Sequence, residues 1–208
     1  MRLGALALPQ MTAESPKPDT VRLFAALDIP ERVRAGIDAW GSRELRDPAL
    51  RPVAAENVHM TLCFLGRTDA SRVDEAAAAV LALPAGPVRV HLARTPAGRP
   101  ARRPSVWALE ADAPAAAGLQ GRLSDTLVAA GLLKLEDRPF WAHLTVARTR
   151  AEPGMRRPRR VEKPPGDLPV ELSEPFDAVR VSLYRSDLRS DGAKYVSMAN
   201  LNLPPSAK

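Results

Sequence analysis

Apolar and polar positions alternate along several short stretches of the chain, and each such stretch predicts a half-buried strand. Residues 20–28 (TVRLFAALD) are the first. They enter a helix through Ile29-Pro30, in which Val33, Ile37, Trp40 and Leu45 make one apolar stripe. Residues 57–65 (NVHMTLCFL) predict a second strand, closed by Gly66. Thr68 or Asp69 then caps a helix whose Val73, Ala77 and Val80 face inward and which ends before Pro84. Residues 87–94 (PVRVHLAR) and 105–111 (SVWALEA) predict two more strands on either side of a loop rich in Gly, Pro and Arg. A helix over 114–130 carries Leu119, Leu123, Leu127 and Ala130 on one face and stops at Gly131. Residues 142–148 (AHLTVAR) predict a strand, and 151–169 a loop rich in Pro and Arg. Residues 177–185 and 194–201 predict an antiparallel hairpin turning around Asp191-Gly192.

Short alternating strands mixed with helices imply an α+β protein with antiparallel sheets, not a doubly wound parallel sheet. The 208 residues suit one domain or two small lobes. With 45% apolar and 26% charged residues, wholesale disorder and a collagen-like chain are excluded. The single cysteine, Cys63, excludes an internal disulfide framework and a four-cysteine zinc site. No apolar run reaches the roughly 20 residues of a membrane helix. Residues 1–19 read as a disordered leader: the run from Leu3 to Leu8 is cut by Pro9, short of a secretory core, so the expected location is cytoplasmic. The net charge of +6 is unevenly placed. One cluster is Arg94, Arg99, Arg102 and Arg103; the other is Arg148, Arg150, Arg156, Arg157, Arg159, Arg160 and Lys163. Such clusters suit a polyanion like RNA, or else form solvated loops. There is no GxGxxG and no Walker loop.

The chemistry lies in an internal repeat. Val58-His59-Met60-Thr61-Leu62 matches Ala142-His143-Leu144-Thr145-Val146, 84 positions later, and takes up two of the three histidines. On a strand, His59 and Thr61 share one face, with Cys63 beside them, while Val58, Met60, Leu62 and Phe64 share the core face. His143 and Thr145 are displayed in the same way. Two such strands across a groove offer two imidazoles and two hydroxyls to one small ligand. In-line displacement at phosphorus needs a base on the attacking oxygen and an acid on the leaving one, and histidine serves both near neutrality. Threonine hydroxyls can donate to the non-bridging oxygens, and Arg148 can add charge there. Arg148 lies at an odd offset from His143, so strict alternation puts it on the core face. A bulge must re-aim it if it is to meet phosphate. His-x-Thr is not a zinc spacing, and no third ligand accompanies it, so no metal is expected. His91 lacks the threonine and reads as a surface or packing residue.

Together these stretches resemble the 2H phosphoesterase superfamily, in particular its RNA 2′,3′-cyclic phosphodiesterase branch, also called 2′-5′ RNA ligase or LigT-like. The resemblance spans the chain from Val21 onward: RLFAALDIP, ENVHMTLCFLG, RPFWAHLTVAR, and SLYRSDL followed by Gly192 and Tyr195. It implies a bilobal, pseudo-twofold fold, two antiparallel sheets lining a central cleft with helices outside, over residues 20–208. It implies His59 as proton donor to the leaving 3′ oxygen and His143 as proton acceptor from water. Thr61, Thr145 and Arg148 would bind the phosphate, and the product would be a 2′-phosphomonoester. Trp141-Ala142 stands where a proline often precedes the histidine, so Phe140 or Trp141 could stack on a base or pack the lobe. The expected partners are RNA ends or small nucleotides carrying a cyclic phosphate, with no cofactor, no membrane and a monomeric state. The other readings are a non-catalytic module binding an RNA end, and a 2H enzyme acting on another cyclic or 2′-5′ linked nucleotide. Two intact histidines and two intact threonines favour an enzyme.

Overall fold

The computed structural model describes residues 19–135, 138–188 and 193–207. Alternation is obeyed first by β1 (Thr20–Asp28), whose second half is buried on both faces. It is the third strand of an antiparallel four-stranded sheet ordered β10-β9-β1-β3, with β3 spanning Met60–Asp69, β9 Arg180–Leu188 and β10 Ala193–Asn202. The second sheet is ordered β2-β7-β6-β4-β8 and is antiparallel throughout. Its strands are β2 (Leu50–Pro52), β4 (Arg89–Leu92), β6 (Val106–Asp112), β7 (His143–Thr149) and β8 (Phe176–Asp177). A three-residue strand, β5 (Ala97–Arg99), also pairs with β6, inside the stretch expected to be loop. This is the α+β, two-sheet architecture that the sequence implies. Residues 1–18, most of the expected leader, and the expected turn at Asp191-Gly192 lie outside the described residues.

The helices pack on the sheets, the first and third through the stripes that periodicity predicts, whereas the second buries Ala76, Ala79 and Val80, with the expected Val73 and Ala77 only partly buried. Helix α1 (Glu31–Glu44) buries Val33, Ile37 and Trp40, and Trp40 donates its indole N–H to the Asp167 carbonyl at 3.2 Å. That bond ties the end of the 151–169 loop to α1. Asp69 caps the 3₁₀ turn Ala70–Arg72, accepting from the Ser71 backbone N–H at 2.9 Å, while Thr68 is buried. The chain then enters α2 (Val73–Leu81). Helix α3 (Pro114–Ala129) buries Leu119, Leu123 and Leu127, and Gly131 follows with φ +64°, a left-handed stop that favours glycine. A short helix, α4 (Val170–Ser173), leads into β8. Among the described residues, no helix is long and apolar enough to cross a membrane.

Each repeat-bearing strand carries a bulge one residue after its threonine. In β3, Thr61 pairs with Ala26 and Cys63 with Ala25, so Leu62 has no partner on β1. In β7, Thr145 pairs with Ala108 and Ala147 with Trp107, so Val146 is the extra residue opposite β6. The matching position of the two bulges is a direct trace of the pseudo-twofold relation. Gly66 does not close β3. The strand runs on through a second irregularity there, at a glycine φ of +71°, and ends at Asp69.

Candidate active site

The bulges decide which side chains reach the cleft. An extra residue reverses the alternation downstream of it, so the face assignments made from strict period two fail beyond Thr61 and beyond Thr145. Cys63 is therefore turned into the core beside Ala25, and is 4% exposed. Phe64, expected in the core, stands on the face of Thr61 and Phe24 and is 62% exposed. In the second lobe the same reversal carries Arg148 outward. It pairs with Val106 on β6, and Val106, Ala108 and Glu110 alternate along the face that also holds Thr145 and His143. Phe64 and Arg148 occupy equivalent positions, each five residues after its histidine.

Both histidines are held by one device. His59 donates its Nδ1–H to the Asn57 carbonyl at 2.8 Å, and His143 donates its own to the Trp141 carbonyl at 2.7 Å. This fixes the tautomer, so each Nε2 keeps its lone pair for the cleft. The Thr61 hydroxyl donates to Nε2 of His59 at 3.1 Å. The Asn57 side chain donates to the Ala193 carbonyl at 3.1 Å, anchoring the segment before β3 to β10.

The surroundings of the two imidazoles differ. His59 stacks on Phe24 at 4.9 Å and meets Tyr195 edge-on at 5.5 Å. Burial among these rings is the main reason that its pKa falls to about 4. The Asn57 carbonyl and the Asp28 carboxylate oppose that shift. Asp28 is buried and accepts from Arg180 Nε at 2.6 Å, Ser182 Oγ at 2.8 Å and Tyr184 OH at 2.7 Å. Burial also lowers the pKa of His143, again against the pull of a backbone carbonyl, here that of Trp141. Trp141 lies flat against His143, 3.7 Å between ring centroids and 15° apart in plane. The Arg99 guanidinium lies over the indole, 4.5 Å from its centroid, and Trp141 Nε1 donates to Glu110 at 3.0 Å. The ring thus supports His143 while its edge lines the cavity between the lobes.

A cavity of about 890 Å³ opens between the lobes, lined by Thr61, Phe64, Phe140, Trp141 and His143, with Gln120 and Ser124 of α3 at its far wall. Phe140, one of the two aromatic residues expected near a base, lies on this wall, partly buried against the core. Several arginines of the basic clusters are engaged internally: Arg103 and Arg157 both hold Glu152, and Arg94 donates to the Leu168 carbonyl at 2.9 Å. Among the described residues, no three His, Cys, Asp or Glu side chains form a metal-holding group. The partners Asp28, Glu110, Arg99, Phe24 and Tyr184 escape a reading by motif, because each reaches the site from a strand or loop distant in sequence.

The depressed His59 pKa has a consequence for stability. The group binds protons more readily unfolded, at about 6.5, than folded, at about 4. Its contribution is full above pH 6.5 and is lost as pH falls toward 4, by about 3 kcal/mol in all. Urea unfolding at pH 7 and pH 4.5 should therefore show a larger acid loss for the wild type than for His59→Gln. Parallel losses in the two proteins would contradict this origin.

Comparison with known proteins agrees with this geometry. A family model described as LigT like Phosphoesterase matches residues 27–108. The RNA 2′,3′-cyclic phosphodiesterase of Escherichia coli (strain K12) is 33% identical over 135 residues, covering 63% of this chain and 73% of the relative. The protein of the same name from Thermus thermophilus is 28% identical over 190 residues, covering 88% and 90%. The crystal structure of TT0787, also from Thermus thermophilus, matches with a TM-score of 0.72 at 27% identity, covering 89% of this chain and 100% of that one. With a His-x-Thr pattern at the start of both β3 and β7, a cavity lined by Thr61 of one and His143 of the other, and relatives of this kind along most of its length, the chain belongs to the LigT-like phosphoesterases of the 2H phosphoesterase superfamily.

Proposed function

We propose that this protein hydrolyses RNA ends carrying a 2′,3′-cyclic phosphate to 2′-phosphomonoesters, using His59 and His143 as its acid and base. The observation that carries the reading is the duplicated device: two Nε2 atoms, each fixed through Nδ1 by a carbonyl two residues upstream, on two equivalent strands that also present Thr61 and Thr145. His143 Nε2 takes a proton from water as its oxygen bonds to phosphorus. His59, protonated at Nε2, gives its proton to the 3′ oxygen as that P–O bond breaks. The order of acid and base follows the family resemblance. Thr61, Thr145 and Arg148 hold the non-bridging oxygens, and the terminal base takes the cavity beside Phe140 and Phe64.

The pKa values bear on how the acid is charged. His59 is neutral at pH 7 in the free protein, because its pKa is about 4. An anionic phosphate against Nε2 favours the imidazolium, so substrate binding lets His59 take up from solvent the proton that it then gives to the 3′ oxygen. The relatives' names support an RNA end as the substrate class.

The test is an RNA oligonucleotide ending in 2′,3′-cyclic phosphate, incubated with excess EDTA, with the phosphate position of the product then mapped. A 2′-phosphate formed at an undiminished rate is expected, since the chain itself supplies acid and base. A 3′-phosphate product, or activity lost to EDTA and restored by a divalent metal, would overturn the mechanism.

A further inference from the structure

We infer that Glu110 is a positioning residue for His143: it holds Trp141 flat against the imidazole and so aims Nε2 into the cleft. The inference rests on the function proposed above, in which His143 is the base. Glu110 stands on β6 directly opposite His143 of β7, and directly paired residues share a face, with Cβ atoms about 5 Å apart. Its Oε1 accepts two hydrogen bonds, from Trp141 Nε1 at 3.0 Å and from Arg99 of β5 at 2.5 Å. Trp141 in turn holds His143 twice, by its carbonyl on Nδ1–H at 2.7 Å and by its ring at 3.7 Å. The three side chains thus close a loop across the β6–β7 pair.

One hydrogen bond at Nδ1 leaves an imidazole free to tilt about that bond. For His59 the Thr61 hydroxyl on Nε2 removes the freedom. For His143 the plane of the indole removes it. The indole itself then needs an anchor. An open hollow of about 400 Å³, bordered by Arg99, Glu110, Phe140 and Trp141, adjoins the ring and gives it room to turn away. The bond from Nε1 to Glu110 closes that route. The Arg99 and Glu110 side chains are 57% and 40% exposed, so as an ion pair they add little to stability. Their effect is orientation and charge. The Arg99 hydrogen bond holds the Glu110 carboxyl below its ordinary range, so it stays ionised. That carboxylate favours the imidazolium formed when His143 takes a proton, while Arg99 and Arg148 of β7 oppose it. His59 of β3 repels it across the cleft, and Arg138 lies on the same cavity wall.

The experiment reads the stack and the rate separately. The chain has three histidines, so the ring signals of His143 can be followed by NMR and assigned by their loss in His143→Ala. In the wild type the indole should hold them upfield. Glu110→Thr suits a half-exposed strand position but cannot reach the indole, so that upfield shift should disappear. Its kcat on a 2′,3′-cyclic phosphate should fall about 10–10²-fold, with KM near the wild-type value. Glu110→Gln keeps an acceptor for the indole and should keep the shift and, at its own optimum pH, kcat. It removes the charge, so the His143 titration should move to lower pH, whereas Arg99→Gln should move it to higher pH. An upfield shift retained in Glu110→Thr, equal kcat losses in Glu110→Thr and Glu110→Gln, or a titration that neither charge variant moves would overturn the inference. If Glu110→Thr fails to fold, Trp141→Leu takes its place: a matching loss of kcat supports the inference and a wild-type kcat refutes it. If the wild type turns over no cyclic phosphate, it is the proposed function that fails. The NMR comparison then decides on Glu110: a shift lost in Glu110→Thr and kept in Glu110→Gln supports it, and a shift kept in both refutes it.

Discussion

Alanine at His59 should lower turnover of a ribonucleotide cyclic phosphate by about 10²–10⁴-fold, and alanine at His143 should do the same. The two losses should separate on an activated ester. A p-nitrophenyl phosphodiester has a leaving group that departs without protonation, so the acid becomes dispensable there and the base does not. His59→Ala should retain most of its activity on that substrate, whereas His143→Ala should lose it on both. Rescue of His143→Ala instead would exchange the two roles and keep the paired mechanism. Full ribonucleotide activity in both variants would remove the site. The pH profile supplies an independent reading. Burial lowers both imidazole pKa values, that of His59 to about 4. Since one histidine must carry a proton, kcat/KM should be bell-shaped with its maximum on the acid side of 6.5, each limb belonging to the pair.

Replacing Thr61 or Thr145 by valine should cost about 10–10³-fold in kcat/KM, because each change removes one neutral donor to the phosphate while conserving shape. Serine at either position should restore most of the loss. The two valine variants should differ in one respect. The Thr61 hydroxyl donates to Nε2 of His59 and so stabilises the neutral ring. Thr61→Val removes that donor and should move one limb of the pH profile upward. Among the described residues, no corresponding bond joins Thr145 to His143, so Thr145→Val should lower the rate without moving the profile. Identical profiles for both variants would show that the hydroxyl does not set the imidazole's proton affinity.

Period-two alternation placed β1 and β7 to within a residue but misplaced others: β3 begins at Met60, after a 3₁₀ turn over Ala55–Asn57, and runs to Asp69, not over 57–65, and β9 spans Arg180–Leu188, not 177–185. Residues 20–28 coincide with β1, and the stretch 142–148 lies one residue from β7. The duplicated His-x-Thr pattern is local, so it was legible from spacing alone. What alternation could not supply was the pair of bulges, because an extra residue leaves no mark in hydrophobicity when, like Leu62 and Val146, it is itself apolar and buried. The misplacement of Cys63 and Phe64 follows from that single cause. The odd offset of Arg148 was the one hint that a bulge was needed. The short strands β2 and β5 were missed because three residues cannot display a period. For Trp141 the sequence left stacking on a base and packing the lobe open; its contacts with His143 and Arg99 depend on cross-strand geometry that no local pattern shows.

The inequality of Phe64 and Arg148 has a further meaning. A cleft whose halves matched in every residue would accept a cyclic diester in two orientations related by the twofold axis. In one of them the histidine that must protonate the 3′ oxygen would face the water instead, and half of all encounters would be wasted. A guanidinium on one side and a phenyl ring on the other break that degeneracy. On the function proposed above, Arg148 would draw the charge and Phe64 the ring, so a nucleotide, which is itself anionic at one end and aromatic at the other, would have one way to lie. The repeat supplies two similar halves, and divergence at equivalent positions such as Phe64 and Arg148 gives the pseudosymmetric scaffold a polarity.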